Sequence, residues 1–152
     1  MKRIILSLMV LVAAIAANAQ KYALVDMEYI LKNVPAYERA NEQLNQVSKK
    51  WEGEVDALLN EAETLYKKYQ SESVFLSDTQ KTKAEEAIIA KEKEASDLKK
   101  KYFGSEGELF KKRQSLLAPI QDEIYNAVKD ICEQKGFQLV LDRASGGSIV
   151  YA

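Results

Sequence analysis

The chain has 152 residues, one cysteine, no histidine, 30% charged side chains and a formal net charge of −1. With no histidine and no group of Asp or Glu at metal-ligand spacing, imidazole and metal chemistry have no residues to stand on, and no cofactor is expected. The near-neutral balance likewise argues against nucleic acid as the main partner.

Residues 1–19 open with Lys2-Arg3, continue as an apolar run from Ile4 to Ala17, and reach Ala17-Asn18-Ala19 ahead of Gln20. This pattern predicts a secretory signal peptide cleaved after Ala19. The run is shorter than the ~20 residues a span needs, which disfavours a retained anchor. The residue directly after the cleavage point is Gln20 rather than cysteine, so a lipoprotein anchor is not indicated. Removal of Lys2 and Arg3 leaves 20 basic against 23 acidic side chains, a net charge of −3. By length, residues 20–152 make one domain.

The mature chain begins with a short strand, Lys21 to Val25. Asp26 is suited to cap a helical turn through Tyr29-Ile30-Leu31, and Pro35 restricts Val34 and opens the next helix.

From Tyr37, apolar residues recur at Ala40, Leu44, Val47, Trp51, Val55, Leu58, Ala62, Leu65 and Tyr69, in steps of three and four. That spacing is a coiled-coil seam. The two consecutive steps of four from Val47 to Val55 are a stutter, and Gly53 inside it marks a soft spot. The pattern fails at Gln70 to Ser77, after which Ser77-Asp78-Thr79-Gln80 reads as a capping box. Ala84, Ile88, Ala95, Leu98, Tyr102, Leu109 and Leu116 then carry a second stripe, with Lys91 at an expected seam position. So short a break predicts an antiparallel hairpin over residues 36–113. Charge agrees: residues 36–72 carry five basic and eight acidic side chains, and residues 78–113 carry ten basic and eight acidic.

Pro119 predicts a kink or restart, and Ile120, Ile124, Ala127, Val128 and Ile131 make an amphipathic face that ends at Gly136. Phe137 to Leu141 reads as a strand, Asp142 to Gly147 as a turn, and Ser148 to Tyr151 as a last strand. Cys132 has no partner within the chain and is expected to pack on an apolar face, with an intermolecular bridge or redox role as the lesser alternative.

Three short strands, at least one apolar on both faces, cannot bury themselves under one helix while also carrying a long hairpin. The fold class expected is therefore α+β, mainly α. A long helical hairpin projects from a small strand body, residues 20–35 and 114–152, that is completed by self-association. Tyr22, Leu24, Val25, Leu139, Val140, Leu141, Ile149 and Val150 are the expected association residues. On the hairpin, Tyr66, Phe103 and Phe110 lie beside the seam and Phe75 and Leu76 at the tip, which makes them candidates for touching a partner. Gly104 and Gly107 interrupt the second arm and read as a flexible joint, against the plainer reading that packing requires them. The lysine-rich runs at 99–101 and 111–113 read as solvated helix face, with anionic lipid or acidic segments as the alternative.

Val25-Asp26-Met27, Leu117-Ala118-Pro119-Ile120 and Gly136-Phe137-Gln138-Leu139-Val140-Leu141-Asp142, on either side of a long charged hairpin, resemble the Skp (OmpH) family of periplasmic chaperones. The resemblance covers essentially the whole mature chain. It implies a homotrimer whose strands form a body and whose hairpins enclose a cavity. By the same resemblance, unfolded outer-membrane proteins are expected to be held there in the periplasm without ATP. The slightly acidic mature chain departs from the strongly basic members best known, so no lipopolysaccharide site is carried over. The competing reading is an exported coiled-coil adaptor or structural protein whose hairpin docks one fixed partner. No nucleophile and base pair or phosphate-binding glycine loop points to an enzyme.

Overall fold

The capping box at Ser77 starts the second arm of the hairpin. Its hydroxyl accepts from the Gln80 amide while the Gln80 side chain accepts from the Ser77 amide, closing two orphan donors at once. A computed structural model describes residues 21–152, so the expected leader lies outside the described residues. In chain order these form β1 (Tyr22–Val25), α1 (Met27–Lys32), α2 (Pro35–Glu72), a 3-10 turn (Ser73–Phe75), α3 (Asp78–Phe103), α4 (Glu108–Lys135), β2 (Leu139–Asp142) and β3 (Ser148–Tyr151). They divide into two compact units, one over residues 34–120 and one made of the segments before 34 and after 120.

In the unit of residues 34–120, α2 and α3 lie side by side and antiparallel. Tyr69 meets Glu85, Glu61 meets Lys91 and Glu54 meets Tyr102, one strand of numbers falling as the other rises. The seam read from the sequence is the packed line: Ala40, Leu44, Val55 and Ala62 of α2 and Ile88 and Ala95 of α3 are buried, and the remaining seam positions are half-buried. α2 runs through the stutter and Gly53 without a break. Lys91, the seam exception, reaches Glu61 across the pair at 3.1 Å and Glu94 on its own helix at 2.9 Å. Those two carboxylates, Glu94 foremost, hold its ammonium above the usual lysine range.

The segments before 34 and after 120 form a three-stranded sheet of order β1-β2-β3. β1 pairs with β2 in parallel, Tyr22 against Leu139 through Val25 against Asp142, and β2 pairs with β3 antiparallel with an irregularity between Val140 and Leu141. Gly146 and Gly147 turn the chain with φ of 72° and 93°, the left-handed region that glycine adopts without penalty. One face of the sheet is covered: Val140 is fully buried, and the Tyr151 ring meets that of Tyr125 on α4 at 6.2 Å. Ile124, Val128 and Cys132 supply the helix side of that core.

Pro119 was expected to kink or restart the helix; there is no restart, since α4 runs from Glu108 to Lys135 with Pro119 inside it. α4 ends at Gly136, whose φ of 71° lets the amides of Gly136 and Phe137 both reach the Cys132 carbonyl.

Candidate functional site

Among the described residues no group of three or more His, Cys, Asp or Glu is placed to hold a metal ion, and no helix is long and apolar enough to cross a membrane.

The first surface is the second face of the sheet. Strand side chains alternate between faces, and the register puts Tyr22 and Leu24 of β1, Leu139 and Leu141 of β2 and Ile149 of β3 together. Leu24 is 61% exposed and Ile149 67%. Of the expected association residues, Val25 and Val140 therefore sit on the covered face, and Val150 lies at the irregularity rather than in a paired position. β1 and β3 are both sheet edges, so their outer backbone groups have no strand neighbour within the described residues.

Asp142 fixes this sheet to α1. Its carboxylate accepts from the Met27 amide at 3.1 Å, the Ala144 amide at 3.0 Å and the Ser145 hydroxyl at 2.5 Å. The Ser145 bond first, and the Met27 amide next, hold it below the ordinary aspartate range. Asp26 makes the reciprocal link. It caps α1 through the Tyr29 amide and accepts two bonds from Arg143, the neighbour of Asp142. Those partners, the Tyr29 amide first, lower its pKa as well. Sequence reading assigned Asp142 to a turn and missed its burial; the signal was an aspartate followed two and three residues later by small Ala144 and Ser145, an Asx-turn pattern.

The second surface is the hairpin. Phe75 is 85% exposed and Val74 79%, both at the turn, while Leu76 is half-buried. Tyr66 and Phe110 are exposed on the helices. Phe103 is half-buried, edge-on to the Tyr102 ring at 6.3 Å, and lines a cavity of about 260 Å³ with Glu52, Val55, Asp56, Leu59 and Lys99. Tyr102 in turn stacks on Trp51 and donates its hydroxyl to Glu54 at 2.5 Å, a bond that raises the phenol's pKa. Sequence reading missed exposed Leu59 and Ile89. Each is the second member of an apolar doublet, Leu58-Leu59 and Ile88-Ile89, whose first member fills the seam.

Gly104 and Gly107 form the break between α3 and α4. A Cβ on Gly104 would stand 2.4 Å from the Lys100 carbonyl oxygen, and one on Gly107 would stand 2.7 Å from that of Tyr102 and 2.8 Å from that of Lys101. The chain passes itself too closely there for any side chain.

A family model described as outer membrane protein (OmpH-like) matches residues 21–152. No curated protein matches the chain.

Proposed function

The chain belongs to the OmpH-like outer membrane protein family, and on that premise we propose that it is an ATP-independent holdase that binds unfolded outer-membrane proteins and keeps them from aggregating. The family is one of periplasmic chaperones for outer-membrane proteins. The observation that carries the finer reading is the distribution of apolar side chains on the hairpin: Leu59, Tyr66, Ile89 and Phe110 stand out singly from charged helices, and Val74 and Phe75 stand at the turn. Isolated apolar points suit many weak contacts with an extended chain better than one lock on a folded partner. Binding removes the client from the pool that aggregates, which is mass action and consumes no nucleotide.

Self-association completes the arrangement. Tyr22, Leu24, Leu139, Leu141 and Ile149 make a contiguous apolar face, and full burial of an exposed side chain such as Leu24 or Ile149 contributes about 1.5–3 kcal/mol. A trimer meeting through this face and the two free edges gathers three hairpins around one client. In this reading the expected leader exports the chain, family membership supports the periplasm as its destination, and residues 20–35 with 114–152 serve as the association body. Gly104 and Gly107 act in this reading as the joint that lets the hairpins admit clients of different size.

Light scattering during size-exclusion chromatography tests this, on residues 20–152 alone and after dilution of a urea-unfolded outer-membrane barrel protein into it. A trimer that forms a soluble complex and prevents precipitation is expected. A monomer indifferent to the unfolded barrel, or saturable binding to a single folded partner, overturns it in favour of an adaptor.

A further inference from the structure

Away from the turn, the large apolar residues of the hairpin that stand outside the seam share one lateral side. In an antiparallel helix pair, the position that follows a seam residue falls on the same flank of both helices, and the position that precedes it falls on the other. Leu59, Tyr66, Ile89, Phe103 and Phe110 each directly follow a seam residue: Leu58, Leu65, Ile88, Tyr102 and Leu109. The packing agrees, since Leu59 and Phe103, from different helices, line the same cavity, whereas Leu58 lines another with Ala90, Asp97 and Lys101. Along α2, Leu59 and Tyr66 are one heptad apart, about 10 Å at 1.5 Å per residue.

Charge divides the same way. Positions that follow the seam between Tyr37 and Leu109 hold Glu38, Glu52, Asp56, Glu63, Glu85 and Glu92, with Lys99 as the only basic residue. Those that precede it hold five basic and five acidic residues, Arg39, Lys50, Lys68, Lys83 and Lys101 against Glu54, Glu61, Glu94, Asp97 and Glu108. On that balanced flank, Lys50 pairs with Glu54, and Glu61 and Glu94 converge on Lys91. On the apolar flank, Asp56 and Glu92 make no ion pair among the described residues.

The geometry points to a one-sided binding face: the hairpin takes up polypeptide only along the flank of Leu59, Tyr66, Ile89, Phe103 and Phe110, and the occupant is an extended segment in which apolar side chains alternate with Lys or Arg. This rests on the holdase reading and names the face and the chemistry it selects. Apolar steps supply contact without register, and the acidic flank favours basic segments over acidic ones by complementary potential.

Two fluorescent peptides of equal length test it, one alternating Leu and Tyr with Lys and the other with Glu, titrated against residues 20–152. The lysine peptide is expected to bind more tightly, on the order of tenfold at low salt, with the gap narrowing as salt rises. Asp56→Lys with Glu92→Lys should remove or reverse that preference. The charge-matched control on the other flank, Asp97→Lys with Glu94→Lys, should keep it, and Leu59→Ser with Tyr66→Ser should weaken both peptides. Circular dichroism shows that each variant is folded. Equal loss from both charge pairs, or a wild-type preference for the glutamate peptide or for neither, overturns the one-sided face while leaving the holdase reading intact if the unfolded barrel protein still stays in solution. Failure of the wild-type chain to keep that barrel protein soluble overturns the holdase reading, and the face with it.

Discussion

The ring of Trp51 lies on that of Tyr102 with centroids 4.6 Å apart and planes 6° from parallel. These two residues tie α2 to the last turn of α3, at the stutter in one helix and beside the break in the other. A stack at that place compensates for the looser packing that a stutter brings. Trp51→Ala should cost about 2–4 kcal/mol. Tyr102→Phe keeps the stack, loses only the bond to Glu54, and should cost less. Urea unfolding followed by circular dichroism ranks the two, and equal losses would mean that the hydrogen bond, not the stack, holds this end of the hairpin.

The glycines separate by environment. Gly104→Ala or Gly107→Ala drives a methyl into backbone and should destabilise by about 1–3 kcal/mol. Gly53→Ala meets nothing within 4 Å inside a helix and should stabilise by about 0.5–1 kcal/mol. Thermal unfolding of the three variants decides it. Because alanine at the break alters space as well as flexibility, solution scattering of hairpin spread in Gly104→Ala bears on the joint only if the helices stay intact.

Acid should loosen the sheet. Asp26 and Asp142 both have folded pKa values below their unfolded ones, so the stability they contribute is fully present above about pH 4 and is lost as pH falls through the folded values. Asp142→Asn should lower the urea midpoint at pH 7 and flatten the decline between pH 4 and pH 2. An unchanged slope in that variant would assign the acid sensitivity elsewhere.

Lys91 occupies a place meant for an apolar side chain and is served by Glu61 and Glu94 at the surface of the pair. Lys91→Leu should raise the unfolding midpoint, because the seam gains a packed side chain, and should reduce the dependence of stability on salt. A lower midpoint would show that the ion pairs contribute more than packing at that level.

Removing residues 145–152 takes away β3 and opens β2 to solvent. Loss of the proposed oligomer with the hairpin still helical is expected by light scattering and circular dichroism. Retention of the native mass would exclude β3 from the association face.

The hairpin was legible because period is a local property: each seam residue is named by its neighbours three and four places away, and the capping box at Ser77 lies within four residues. The sheet was legible only as strands. Its order, and which of Leu139 and Val140 faces α4, depend on β1 pairing with β2 more than a hundred residues later, which no local pattern encodes. Asp142 was misread for the same reason, since its partner at Met27 comes from the other end of the chain. The lateral asymmetry of the hairpin was present in the sequence all along. It emerges only once the seam is known to be the packed line, because a residue beside a seam has no side until the partner helix has a direction.

The parallel pairing of β1 with β2 has a consequence in time. A chain that emerges N-terminus first presents Tyr22–Val25 long before Leu139–Asp142 exists outside, so β1 waits unpaired while α2 and α3, whose contacts close on themselves, are free to form. The sheet, and any assembly built on it, is completed only when the last few residues arrive. A chain cut short near its end would keep a folded hairpin but lose the sheet on which the proposed association rests, and on the proposed function would meet clients singly.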